Sequence, residues 1–186
     1  MKRVLAVLLI LLALTGCGNN VSELNRAIAL REALLKSEGC TFVTVITADY
    51  GEKVYSFGMQ CQADKSGNIT FEVTDPDTIS GITGTVSEEA GKLTFDDEAL
   101  MFQLLADGQV TPVSAPWLLL HTLRSGYISA CGNDGNGLHI QIDDSYADDA
   151  LQIDIWTDEN DIPIRAEVLW QSRRVVSMDV ENFTIL

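Results

Sequence analysis

Between residues 22 and 38 apolar side chains recur at helical spacing. Leu24, Ala27, Ile28, Leu34 and Leu35 share one face, and Glu23, Arg26, Glu32 and Lys36 share the other. Ser22 is placed to cap this helix, and Gly39 suits the C′ position that ends it. From Cys40 the period shortens to two. The runs Cys40 to Asp49 and Glu52 to Gln62 flank Tyr50-Gly51 and read as a hairpin. Strand alternation continues through Ile69, Phe71 and Val73, then Ile82, Gly84 and Val86, then Leu93 and Phe95. It resumes at Leu138, Ile140 and Ile142, at Leu151, Ile153 and Ile155, at Ile164, Ala166, Val168 and Trp170, and at Val176, Met178 and Val180. Each of these strands has one apolar face.

Register follows from parity, because a slip of one residue puts apolar side chains on the wrong side. A loop over Asp158 to Asp161 pairs Ile155 with Ile164, Ile153 with Ala166 and Leu151 with Val168. A loop centred on Ser172 pairs Trp170 with Arg174, Val168 with Val176 and Ala166 with Met178. Phe183 and Ile185 sit on the other parity from Val180, as a bulge allows. Between the two sets of strands, Ser114-Ala115-Pro116 opens a second helix, apolar almost all round, that runs through Trp117 to Arg124 and stops at Gly126. Leu100 to Leu105 fits a helical face as well as a strand; a strand followed by a loop over Asp107 to Val113 is preferred. Gly132 to Gly137 reads as a turn-rich loop. The pattern is an α+β domain over residues 22–186, in which an antiparallel sheet of eight or more strands covers its apolar face with two helices.

The first seventeen residues are different. Lys2 and Arg3 precede the apolar run Val4 to Leu14, whose 11 residues fall short of the roughly 20 needed to span a bilayer. This is the pattern of a secretory signal. Leu14-Thr15-Gly16-Cys17 resembles the lipobox of bacterial lipoproteins, which implies cleavage after residue 16, acylation (palmitate) of Cys17 and a tether over residues 17–21. The expected location is a cell membrane, on its extracytoplasmic side, held by the N-terminal lipid.

The chain carries 12 Lys+Arg against 27 Asp+Glu, a net charge of −15, and loss of Lys2 and Arg3 with the signal makes it −17. Nucleic acid is excluded as a partner, since that binding needs basic groups to meet phosphates. Export also changes the meaning of the cysteines, because disulfides persist outside the cytoplasm. With Cys17 acylated, Cys40, Cys61 and Cys131 remain. A two-residue turn at Tyr50-Gly51 sets Phe42 opposite Met59, Thr44 opposite Phe57 and Ile46 opposite Tyr55, and puts Cys40 opposite Cys61 within disulfide reach. The competing register, a type I turn with Gly51 as a bulge, sets Phe42 against Gly58 and mismatches the faces. The expectation is a Cys40–Cys61 disulfide with Cys131 as the odd thiol.

Candidate chemistry is sparse. Asp143-Asp144, Asp148-Asp149 and Asp158 to Asp161 lack the spacing of a calcium loop and read as solvated turns. With only His121 and His139 and no CxxC, no metal site is expected. There is no G-x-S-x-G, no partner beside Cys131 and no phosphate-binding loop, so neither an enzyme nor a cofactor is expected. Trp117, Leu119, Leu120 and Leu123 on the second helix, with Phe42 and Phe57 on the hairpin, are the candidates for contact with an apolar ligand, and the same pattern serves plain core packing.

The order of elements, together with the local sequences Gly91-Lys92-Leu93-Thr94-Phe95 and Asp161-Ile162-Pro163-Ile164, resembles the LolA/LolB superfamily of lipoprotein carriers and related exported lipid-binding lipoproteins. That resemblance implies a curved half-barrel around apolar helices and a cavity for acyl chains. The function expected from the sequence is a membrane-anchored, non-catalytic lipoprotein that binds a lipid or other apolar molecule in transit; the alternative is an interaction module that uses the same rigid fold, with no ligand, to hold or activate another envelope protein.

Overall fold

The computed structural model describes residues 20–95, 98–103, 105–106, 109–147 and 150–186. The signal segment, Cys17 and the pair Asp148-Asp149 lie outside the described residues. Helix α1 spans Asn20–Lys36 and is followed by β1 (Gly39–Asp49), β2 (Val54–Asp64), β3 (Ile69–Asp75), β4 (Thr83–Val86), β5 (Gly91–Phe95) and β6 (Glu98–Phe102). The short strands β7 (Leu105–Ala106) and β8 (Gln109–Val110) pair with each other and lead through a 3-10 turn, Pro112–Ser114, into helix α2 (Ala115–Ser125). Strands β9 (Tyr127–Asp134), β10 (Gly137–Asp143), β11 (Gln152–Thr157), β12 (Pro163–Trp170) and β13 (Arg173–Ile185) complete the chain.

Eleven strands form one antiparallel sheet in the order β6-β5-β4-β3-β2-β1-β13-β12-β11-β10-β9. Each half of the chain is a meander, and the halves join where the first strand pairs with the last, so Cys40 faces Ile185 and Ala48 faces Val176. The sheet is curved and unclosed, with β6 and β9 as its edges, and the molecule is an α+β half-barrel. The inner face supplies the core: Phe42, Ile46 and Met59 from one half, Ile140, Ile153, Ile155, Val168 and Met178 from the other, all buried against α1 and α2.

Three registers differ from the sequence expectation, and turn chemistry explains each. The β1–β2 hairpin closes through four residues, with Tyr50 N donating to Lys53 O (3.0 Å), Gly51 N donating to Asp49 Oδ1 (2.7 Å) and Gly51 at φ 86°. Asp49 therefore faces Val54, Phe42 faces Cys61 and Cys40 faces Ala63. The shift is two residues, so the faces stay as expected while every opposite pair changes. At β11–β12 the Asp158 carboxylate accepts from the amides of Asn160 (2.8 Å) and Ile162 (2.9 Å), and Asp161 takes φ 64°. That turn pairs Ile155 with Ala166 and Ile153 with Val168, again two residues from the expected alignment. At β12–β13 the pairs Val168/Val176 and Ala166/Met178 are as expected, but a two-residue turn with Gln171 at φ 50° and Ser172 at φ 63° pairs Trp170 with Arg173. Such a double left-handed turn matches strand twist.

The parity change after Val180 is a β-bulge. The register with β1 shifts between Thr41 and Val43, Asn182 takes φ 54°, and Phe183 turns inward to stack on Phe42 at 5.4 Å.

Other expectations need correction. Gly132 to Asp134 belong to β9, and only Gly135-Asn136 form the turn before β10. Ser114 does not cap α2 through its side chain; it lies in the 3-10 turn, and its Oγ donates to Thr111 O (2.6 Å). Ser22 lies inside α1, and the helix stops at Lys36. Gly39 opens β1 with φ 150°, where a Cβ would collide with the carbonyl oxygen of Ala63. The core-facing residues of α1 are Glu23, Ala27, Leu30 and Leu34, whereas Leu24, Ile28 and Leu35 point outward.

Candidate functional site

The candidate site is the space between α2 and the inner face of the sheet. Pro116 sits in the first turn of α2, where a missing N–H costs nothing, and Gly126 ends the helix with its N–H donating to Thr122 O. The two helices secure each other through one arginine from each. Arg31 of α1 donates to the carbonyls of Leu123 (2.6 Å), Gly126 (2.8 Å) and Thr122 (3.3 Å), while Arg124 of α2 donates to Leu34 O (3.3 Å) and Lys65 O (2.8 Å). Arg31 thus meets carbonyls at the C-terminal end of α2, and Arg124 meets one near the C-terminal end of α1, each at the negative end of a helix dipole. Arg31 is half-buried in doing so, and burial lowers its pKa from the ordinary arginine value.

All six candidate ligand-contact residues belong to the one buried core. Leu119 is 0% exposed, Leu120 1%, and Leu123 and Phe42 2% each; Trp117 and Phe57 keep slightly more. A side chain bordering a void that admits water shows surface to that void, so near-zero exposure means that protein atoms touch it on every side. Two open grooves at the surface do not reach them. One, of about 570 Å³, crosses the outer side of the sheet between β1 and β5 and is lined chiefly by Thr, Gln, Glu72 and Lys92. The other, of about 510 Å³, lies between α1 and the β9–β10 end and includes Leu24, Ile28, Tyr127 and Tyr146.

Sequence reasoning placed Glu23 on the solvent side of α1; the structure buries it. Its Oε1 accepts from Asn133 Nδ2 (2.6 Å), Asn133 Oδ1 accepts from Arg26 (3.2 Å), and Arg26 holds the Asp161 carboxylate with two donors (2.6 and 3.2 Å). This chain of polar contacts docks α1 on β9 and the β11–β12 turn. No local pattern announces it, because the partners are more than 100 residues away in the chain.

The titratable groups examined in the sequence have structural roles here. Asp144 Oδ1 accepts from Leu151 N (2.9 Å) and so closes its own loop. His121 stacks on Trp117 at 4.5 Å. The neighbouring Ser125 hydroxyl, 3.5 Å from His121 Nε2, gives its proton to the His121 carbonyl (2.8 Å). His139 stacks on Trp156 at 4.6 Å on the outer face of the sheet, with Nε2 3.5 Å from Asp154 Oδ2. Among the described residues no group of three or more His, Cys, Asp or Glu is arranged to hold a metal ion.

The expected Cys40–Cys61 disulfide is corrected by the hairpin register. Cys61 lies opposite Phe42, so the two cysteines are diagonal neighbours, at about 7–8 Å for such positions and beyond ordinary disulfide reach. Cys40, Cys61 and Cys131 are free thiols. Cys131 lies in β9 opposite Ile140 and packs half-buried on the core.

Burial pushes Cys40 up to about 11 and Cys61 up to about 12, from an ordinary value of 9.0, and raises Cys131 as well. The folded chain keeps these protons where the unfolded chain releases them. The stability this confers is present below pH 9 and is lost as pH rises through the two folded values. The urea midpoint should therefore fall between pH 9 and 11, and less steeply for Cys61→Ala. Alkylation of the native protein at pH 8 should modify Cys131 first and reach the other two only after unfolding.

No family model matches the chain, and no curated protein matches it. Among solved structures it is similar to a DUF1329 family protein from Desulfovibrio piger, with 9% identity over 90% of this chain and 94% of that one and a TM-score of 0.48. It is similar to a LolA superfamily protein from Nitrosomonas europaea, with 9% identity, coverage of 86% and 93%, and a TM-score of 0.44. It is also similar to the Mycobacterium tuberculosis lipoprotein LppX, with 12% identity, coverage of 87% and 93%, and a TM-score of 0.42.

Proposed function

We propose that the protein is an exported lipoprotein, held to the extracytoplasmic side of a membrane through Cys17, whose half-barrel holds another envelope protein and performs no catalysis. The observation behind this reading is the closed space between α2 and the sheet. The residues that would form the wall of a lipid cavity belong to the buried core, and Leu119 is 0% exposed. A folded surface without an internal ligand is suited to binding at its exterior, and a net charge of −17 after signal removal favours a partner with a basic face.

A second reading keeps the lipid. The buried surface of α2 is apolar on nearly every side, through Trp117, Leu118, Leu119, Leu120 and Leu123. If α2 moved off the sheet, Trp117, Leu119, Leu120, Leu123, Phe42 and Phe57 would form an apolar cleft. Titration with a fluorescent polyene fatty acid separates the two. The interaction reading predicts no saturable rise in emission; a stoichiometric rise abolished by Leu123→Asp in a folded variant favours the carrier.

A further inference from the structure

Helix α1 is apolar on two faces, and only one of them is used by the core. Ala27, Leu30 and Leu34 are buried, whereas Val21, Leu24, Ile28 and Leu35 are 64%, 39%, 39% and 49% exposed. At about 100° per residue these four fall within an arc of about 60°, centred roughly 110° from the buried face, so they form one continuous outward stripe. Arg31 borders the arc on its core side and turns its guanidinium inward to the carbonyls at the end of α2, so that no free charge interrupts the stripe there. Across the neighbouring groove the apolar surface continues through Tyr127 and Tyr146, 52% and 88% exposed, with ring centroids 5.5 Å apart.

We infer that this stripe and the two tyrosines are the protein's contact with the bilayer surface. The inference rests on the proposed anchoring through Cys17. From Cys17 to the first residue of α1 the chain is three residues long, which at most spans about 10 Å. The end of α1 that carries Val21 and Leu24 is therefore held within about one helix diameter of the acylated residue. An amphipathic helix in that position lies in the plane of the interface with its apolar side turned to the acyl boundary, and tyrosine is the residue type enriched at that depth. The unmodified domain has no reason of its own to expose such a stripe beside the point where lipid is attached. Asp144 in the groove, Glu32 on the flank and the overall charge of −17 disfavour anionic headgroups, so a zwitterionic surface is the fitting one.

Hydroxyl-radical footprinting of the lipidated protein on phosphatidylcholine vesicles tests this. Oxidation of Leu24, Ile28, Tyr127 and Tyr146 should fall several-fold relative to the unlipidated Cys17→Ala chain in buffer, while Leu100 and Met101, exposed on β6, stay unchanged. Vesicles rich in phosphatidylglycerol should protect less. Ile28→Glu, at an exposed position that the fold does not need, should still float with the vesicles and lose protection at Tyr146. Flotation without protection overturns the inference and leaves the anchor standing. Failure to float overturns the anchor and the inference together. Protection in the unlipidated chain that rises with its own concentration assigns the stripe to a second copy and overturns the bilayer contact.

Discussion

Leu119→Asp should unfold the domain. Leu119 is 0% exposed, at the centre of α2, among side chains from both halves of the sheet. An aspartate there would lie among apolar core side chains, and an unpaired buried charge costs several kcal/mol after the carboxyl has shifted its pKa to escape ionisation. Deleting the leucine adds a further about 3–5 kcal/mol of lost transfer and cavity energy. Together these approach the whole stability of an ordinary domain, about 5–15 kcal/mol. Leu100→Asp on the edge strand β6, where the leucine is 64% exposed, is the matched control and should change little. Far-UV circular dichroism and urea titration check the pair. Retention of a cooperative transition by Leu119→Asp near the parent midpoint would mean that the interior has room, and the carrier reading would then be preferred.

The second large effect concerns location. Cys17→Ala should move the protein from the membrane to the soluble exported fraction, because two acyl chains at about 0.8 kcal/mol per buried methylene are what make attachment stable. No helix among the described residues is long and apolar enough to cross a membrane, so none can substitute for the anchor. The apolar stripe on α1 does not hold the protein alone: four side chains bury far less apolar surface than a pair of acyl chains. Fractionation followed by a carbonate wash decides it, and a Cys17→Ala protein that stays with the membrane overturns the lipobox reading.

Strand identity was legible in the sequence because period-two alternation is set by one buried face, and that face is the same in the folded sheet. Register was legible only in part: Val168/Val176 and Ala166/Met178 pair as expected, whereas at β1–β2 and β11–β12 a slip of two residues preserves every face and leaves the choice to the turns. Four residues at Tyr50–Lys53 and the Asp158 side chain across β11–β12 made that choice. The same slip removed the disulfide from an argument that was otherwise consistent.

For α1 the helical period was correct and the core face was displaced. The helix carries more apolar positions than its core uses, and a buried glutamate, held by Asn133 through Oε1, stands where a solvated one was expected. At the candidate site, residue types were legible and the near-complete burial of Leu119, Leu120, Leu123 and Phe42 was not. An apolar position lining a cavity and one filling a core obey the same pattern, and only the packing of α2 on the sheet distinguishes them.

The central claim, that this half-barrel carries no ligand inside it, is tested most directly by native mass spectrometry of the Cys17→Ala protein recovered from the exported fraction without detergent. The lipid of the anchor is then gone, and any excess mass belongs to a bound molecule. The account predicts a single charge-state series at the mass of the processed chain. A second series displaced by the mass of a lipid, lost on mild activation and absent after Leu123→Asp in a folded variant, would contradict it.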